Sequence, residues 1–470
     1  MPFALKSVCA LLPWLLVSVL QGTLAALPGQ IYGVNLGSWL VLEPWMLPEE
    51  WQAMGGQTCD NCANCIASEF EMAKAYPNTV DGIFNKHWST WFTQDDVNML
   101  ASYGINTVRI PLGYWIVEPL VDRSKEFYPR GGMGQLKRGL SQLKAAGINA
   151  ILDHHALPGV QTPGQQFTGR CTNDVQFYTE ENYHRALVWT AVMTALSHLD
   201  PDFGSVVGIE AVNEPIMDAS KTPGYGDFQK NFVKTVRQVE TLLGVQDLDS
   251  PQESLLYNAL GATQTFLGGQ NLGGPLGRVL TDATPILAQI ADEYGIDAIF
   301  DGGIPTTTPL VTVFMDIGWQ YNNPVNPAKA AQGPQLYDNH LYYSFGGVAD
   351  ANEEAYLSSI CNLQRVQDDA SQGNSPLAFG EWSLATQFDP SDDFLKKWAD
   401  AQKRAYSAGK GWIFWSFKSE VSGTSGDTPR VWSYFEAVKR GYFTKDPSKF
   451  NDPHVCDAYI AGNSTIQVSF

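Results

Sequence analysis

The sequence predicts an α/β fold, a single (β/α)8 TIM barrel with loop insertions. Three observations predict it: eight short apolar runs, helix-like stretches between them, and a polar residue closing nearly every run. The runs are Tyr32–Asn35, Thr107–Arg109, Ala150–Asp153, Val207–Asn213, Val311–Asp316, Leu336–His340, Leu377–Glu381 and Trp412–Trp415. Between the second and third, Leu136, Leu140 and Leu143 share one helical face of Met133–Gly147, and Gly147 stands where a helix stops. Strands that alternate with helices form a parallel sheet, and a closed parallel sheet brings its strand ends to one pocket.

Two stretches exceed the minimal pattern. Trp45–Tyr76 reads as a long loop with a helical end, and about 241–309 reads as an insertion, with the glycine-rich run Gly268–Gly277 and one barrel helix, Pro285–Tyr294. The chain shows no internal repeat, linker or low-complexity tract, so residues 27–470 read as one decorated catalytic domain.

Residues 1–26 read as a signal peptide: Lys6 precedes the apolar run Ala10–Leu20, and Ala25 and Ala26 offer a cleavage site. Pro13 interrupts that run, which is about ten residues long against the roughly 20 a membrane span needs. No later run is of membrane length, and the tail from Asn463 is too short for a lipid-anchor signal. The expectation is a secreted, monomeric protein, extracellular or wall-associated. A formal charge of −19 disfavours nucleic acid and anionic lipid as partners. The 12% aromatic content suits stacking on sugar rings, although composition alone favours an aromatic core.

With Cys9 in the leader, Cys59, Cys62, Cys65, Cys171, Cys361 and Cys456 remain. An even number in a secreted chain points to disulfides, with connectivity open. The cluster Cys59, Cys62 and Cys65 admits a zinc reading but has no fourth ligand at the usual spacing. Asn463-Ser464-Thr465 is a glycosylation acceptor pattern.

The fourth run continues to Asn213-Glu214-Pro215 and the seventh ends in Gly380-Glu381-Trp382. Two glutamates on strands facing each other across a barrel can flank a glycosidic bond. Together with Gly33-Val34-Asn35-Leu36-Gly37, Val108-Arg109-Ile110-Pro111, His340-x-Tyr342 and Trp412-Ile413-Phe414-Trp415-Ser416, these motifs resemble glycoside hydrolase family 5, specifically its fungal β-1,3/β-1,6-glucanases, from about Gly33 to Lys445.

The resemblance implies a retaining mechanism with Glu381 as nucleophile and Glu214 as acid/base, for which Glu214 needs a raised pKa and Glu381 must stay ionised. It implies that Arg109 keeps Glu381 anionic, that Asn213 binds the sugar's 2-hydroxyl, that Tyr342 hydrogen-bonds Glu381, and that His340 lines the pocket. Trp415 matches a stacking platform, while Trp412, an odd number of residues away, belongs on the opposite strand face and in the core. His155 matches the third-strand histidine. The chain departs there from the common fungal form, with His154-His155-Ala156-Leu157 in place of Leu-His-Gly-Ala, so His154 competes for the assignment. Glu43 resembles a sugar-hydroxyl contact, with a structural ion pair as the competing reading. The family uses no metal or cofactor, which weighs against reading the His-His pair as a metal site.

The implied partner is a β-glucan polysaccharide or oligosaccharide. His87-Trp88-Ser89-Thr90-Trp91, Tyr128-Pro129-Arg130-Gly131-Gly132, Phe167-Thr168-Gly169 and Ala355-Tyr356-Leu357-Ser358-Ser359 look closer to the endo-β-1,6 group than to the exo-β-1,3 group. A wall protein that binds glucan without cutting it is the alternative from another class, and the presence of both glutamates argues against it. No Gly-x-Ser-x-Gly elbow supports a serine hydrolase.

Overall fold

The computed structural model describes residues 26–245, 274–296, 308–319 and 332–460. Eight parallel strands close in chain order into a barrel: β1 (Ile31–Asn35), β2 (Thr107–Gly113), β3 (Asn149–Ala156), β4 (Val206–Glu210), β5 (Val311–Met315), β6 (Gln335–His340), β7 (Leu377–Glu381) and β8 (Gly411–Phe414). Every expected run is a strand. The β2 and β3 strands extend past their expected ends, whereas β4 stops at Glu210 because the chain turns inward before Asn213.

Alternation across these strands divides the apolar residues into two sets. Ile31, Ile151, Val207, Val311, Val313, Leu336, Ala378 and Ile413 fill the barrel interior. Val34, Val108, Ile110, Leu152, Phe314, Phe379, Trp412 and Phe414 point outward into the layer shared with the helices. Fully burying one such side chain contributes about 1.5–3 kcal/mol, so both layers resist opening. The interior set closes the barrel floor, and toward the strand C-termini the inward positions become polar: Asn35, Arg109, Asp153, Glu210, Asp338 and Glu381 are all buried.

The helix Gly132–Ala146 buries Leu136, Leu140 and Leu143 and ends at Gly147, whose φ of 70° a residue without a Cβ adopts freely. Two helices after β4, Tyr225–Leu243 and Gly274–Tyr294, both pack on Glu180–Leu199, which explains why the latter is buried along most of its length. The helix expected from Pro285 begins eleven residues earlier, at Gly274. Its buried face, Val279, Leu280, Ala283, Leu287, Ile290 and Ala291, runs through Pro285, and that packing outweighs the hydrogen bond proline removes. The leader apart from Ala26, residues 246–273 and 297–307 of the expected insertion, and the Asn463 acceptor lie outside the described residues.

The stretch after β1 holds two helices, Pro48–Met54 and Glu69–Ala75. Its cysteines form disulfides, Cys59–Cys65 and Cys62–Cys171, which excludes the zinc reading; a third bridge joins Cys361 to Cys456. Cys62–Cys171 ties the loop after β1 to the loop after β3, two loops on the rim of the pocket. No described helix is long and apolar enough to cross a membrane.

Candidate active site

The polar layer above the barrel floor is organised by Arg109. Its guanidinium lies 2.8 Å from Glu210, 2.9 Å from Glu381, 3.0 Å from Asp153 and 3.5 Å from Asp338. It also donates to Asn35 Oδ1 at 3.1 Å and Asn213 Oδ1 at 2.7 Å. Burial disfavours the guanidinium charge, but the four carboxylates outweigh it and raise its pKa further. One cation among four acids leaves negative charge uncompensated. Burial accordingly pushes Asp153 up to about 7 and Glu210 up to about 8, with Arg109 opposing in each case.

Glu381, at the end of β7, is 5% exposed and held on both oxygens: Arg109 donates to Oε1, and the Tyr342 hydroxyl donates to Oε2 at 2.9 Å. Burial pushes its carboxyl up to about 8, against the pull of His340 and Arg109. The site thus departs from the ordering expected for a permanently ionised Glu381. The Tyr342 phenol is driven further from ionising by burial and by the adjacent Glu381.

Glu214 follows β4 in a left-handed backbone conformation, φ 40°, which few non-glycine residues adopt and which turns its side chain back over the barrel mouth. Two ties from the loop after β3 hold this turn. Gln161 donates to the carbonyls of both His155 and Asn213, and Thr162 donates to the Glu214 carbonyl. His340 stands between the two glutamates, its Nδ1 2.7 Å from Glu214 Oε1 and 3.4 Å from Glu381 Oε2. Burial works against charge on its imidazole, but Glu381 and Asp338 outweigh it and raise its pKa well above the usual range. One atom each from Glu214, His340 and Glu381 fall within 4.8 Å of one another.

His155 and Trp415 form the adjoining wall, their rings near-parallel at 11° with centroids 5.6 Å apart. His154 points the other way and stacks on Trp189 of the helix layer at 3.9 Å, so of the two histidines it is His155 that lies against Trp415. Trp412 packs among Trp382, Tyr434 and Phe443 in the outer layer. Glu43 accepts a hydrogen bond from Trp45 Nε1 at 2.9 Å and forms no ion pair among the described residues. Its burial raises the carboxyl to about 8. Trp45 in turn meets Trp432, which packs on Tyr342 and the exposed Phe345, so an aromatic rim leads out from the glutamates.

All nine residues expected at the site therefore meet at one barrel mouth. Sequence reading passed over Asp153, Glu210, Asp338, Asn35 and Gln161. Two of these carried a signal: Asp153 and Asp338 stand two residues before His155 and His340, and period two puts them on the same inward face, one layer deeper. Gly380 also reports Asp338, because an added Cβ there would sit 2.0 Å from its carboxylate, which the Gly380 N–H binds at 2.6 Å. Gln161, a loop residue, carried no signal.

Residues 65–421 match the family model for cellulase, glycosyl hydrolase family 5. The chain is 31% identical to glucan endo-1,6-beta-glucosidase B of Emericella nidulans, over 91% of this chain and 88% of the relative. It is 30% identical to the probable glucan endo-1,6-beta-glucosidase B of Neosartorya fischeri, over 91% of this chain and 90% of the relative. A probable glucan 1,3-beta-glucosidase A of Aspergillus fumigatus is 26% identical over 91% of this chain and 90% of its own length. Among solved structures, a rutinosidase from Aspergillus niger shares the fold, with a TM-score of 0.57 at 18% identity over 88% of this chain and 97% of that chain. The closed eight-stranded barrel, the glutamates at its mouth and a family match over most of the chain agree: the protein is a glycoside hydrolase and belongs to glycosyl hydrolase family 5.

Proposed function

We propose that the chain is a secreted, retaining β-glucan hydrolase that cleaves β-1,6-glucosidic bonds within the polymer, with Glu381 as nucleophile and Glu214 as acid/base. The observation that carries this reading is the meeting of Glu214, His340 and Glu381 atoms within 4.8 Å. Retaining glycosidases hold their carboxyl groups about 5–5.5 Å apart, whereas inverting ones leave about 6.5–9.5 Å for a water.

In the first step Glu381 attacks the anomeric carbon as Glu214 gives its proton to the leaving oxygen. In the second, Glu214 takes a proton from water, whose oxygen displaces Glu381. Glu381 loses its charge as it bonds, while Glu214 gains one as its proton departs. The pair thus carries one negative charge before and after, and His340, in contact with both, faces that charge throughout. Burial raises the Glu381 carboxyl, while Arg109 on Oε1 and the Tyr342 hydroxyl on Oε2 support the charged form from which it attacks. Asn213 Nδ2 has no partner among the described residues while its Oδ1 is fixed by Arg109, which leaves the amide N–H groups for a sugar hydroxyl. Trp415 and the Trp45, Trp432 and Phe345 rim offer apolar faces to sugar rings.

The β-1,6 assignment rests on relatives named for that bond, which are more similar to this chain than the 1,3-glucosidase. Secretion rests on the leader pattern and three disulfides. The test is to incubate the protein with linear β-1,6-glucan (pustulan) and linear β-1,3-glucan (laminarin) and to size the products. A ladder of oligosaccharides from pustulan supports the proposal; glucose alone from laminarin would replace it with exo-1,3 action.

A further inference from the structure

The inward faces of β3 and β6 carry the same tripeptide pattern, Asp153-His154-His155 and Asp338-Asn339-His340. The two pairs are used with opposite polarity. Asp338 Oδ2 lies 3.5 Å from Nε2 of His340, and the other nitrogen, Nδ1, faces the two glutamates. Asp153 Oδ2 instead lies 2.6 Å from Nδ1 of His155. The remaining nitrogen, His155 Nε2, is buried with no partner among the described residues.

The same Asp153 oxygen is 3.0 Å from Arg109 Nη1, which also binds Glu381. Burial raises the Asp153 carboxyl, but the oxygen that faces His155 is the one tied to the Arg109 guanidinium, and an oxygen so tied accepts hydrogen bonds and carries no proton, so Nδ1 of His155 is the donor. The structure assigns Asp153 as a positioning residue: it fixes the Nδ1–H tautomer of His155 and leaves Nε2 as a bare acceptor for a sugar hydroxyl seated beside Trp415. Burial and the nearby Arg109, which together lower the pKa of His155, act in the same direction by keeping the ring neutral. The site then offers one acceptor among its donors, and a hydroxyl whose hydrogen points at Nε2 completes it. An analogue lacking that hydroxyl strands a buried lone pair, which costs affinity.

Alanine at position 153 separates the alternatives, because Oδ2 is the one oxygen that faces both His155 and Arg109. Without it nothing holds the imidazole proton on Nδ1, and the proton can move to Nε2, toward the pocket.

The inference rests on the β-glucan reading for the identity of the hydroxyl, but the tautomer is measured on the free protein. The experiment is nitrogen-15 NMR of the full chain with labelled histidine at neutral pH, the His155 signals being assigned among the seven histidines by their loss in His155→Ala. The expected result is a protonated Nδ1 and an unprotonated Nε2, lost or inverted in Asp153→Ala. Kinetics on pustulan oligosaccharides should show Asp153→Ala lowering kcat/KM on the order of a hundredfold in the wild-type background and clearly less in the His155→Ala background, where only its contact with Arg109 is left to lose. A proton on Nε2 in the wild type, or an equal loss in both backgrounds, overturns the assignment. A wild type that carries the expected tautomer yet leaves pustulan intact overturns the glucan reading instead.

Discussion

At the residue scale, the site is a problem of placing too few protons on too many buried acids. Arg109 touches four carboxylates, and His340 bridges two. Tyr342→Phe removes the neutral donor on Glu381 Oε2, and a hydrogen bond to a charged group is worth about 1.5–3 kcal/mol. We expect kcat to fall roughly 10- to 150-fold on that basis, with the protein still folded, as steady-state kinetics and circular dichroism would show. Glu214→Ala should cripple glucan cleavage yet spare a dinitrophenyl β-glucoside, whose leaving group needs no proton, and azide should restore turnover by replacing water. Equal loss on both substrates would remove Glu214 from the acid role. The sequence made Glu214, Glu381, Arg109 and Trp415 legible because their motifs stand at strand ends. Glu210 was passed over because an acid one layer down reads as part of an apolar strand, and Asp153 because it reads only as the polar end of its run. The left-handed turn at Glu214 was illegible because it depends on Gln161 and Thr162 from another loop.

At the scale of elements, all eight strands were visible as apolar runs, since a parallel strand buried on both faces loses its alternation. The helix Gly274–Tyr294 was cut short in sequence because Pro285 reads as a start, while the packing of its face on Glu180–Leu199 decides otherwise. The disulfide pairing was illegible: it depends on Cys62 and Cys171, 109 residues apart, meeting on neighbouring loops. Cys361–Cys456, spanning 95 residues, ties the helix Glu353–Cys361 to the chain's last described segment. Replacing both cysteines by serine should lower unfolding stability by about 2–5 kcal/mol, read from the urea midpoint, with kcat on pustulan near wild type at room temperature. Lost activity in a folded double variant would show that this bridge shapes the cleft.

At the scale of the whole molecule, acid is buried in several places, and pH should therefore act on the fold as well as on catalysis. Glu69, fully buried at the start of the helix Glu69–Ala75, accepts from the Leu42 N–H at 2.7 Å, and burial pushes its carboxyl up to about 8. Folded chains keep that proton where unfolded chains have lost it. The stabilisation is complete below the ordinary carboxyl range and disappears as pH rises through about 8. Thermal melts from about pH 5 to about pH 9 should show Tm falling more steeply in the wild type than in Glu69→Gln, whose amide does not titrate. Parallel curves would show that Glu69 is ionised in the fold. The net charge of −19 adds self-repulsion in the same direction. The central claim, double displacement by Glu214 and Glu381, is tested most directly by proton NMR of the new reducing end during the first minutes of β-1,6-glucan cleavage. The account predicts that the β-anomer appears first and the α-anomer follows by mutarotation; the α-anomer appearing first would contradict it.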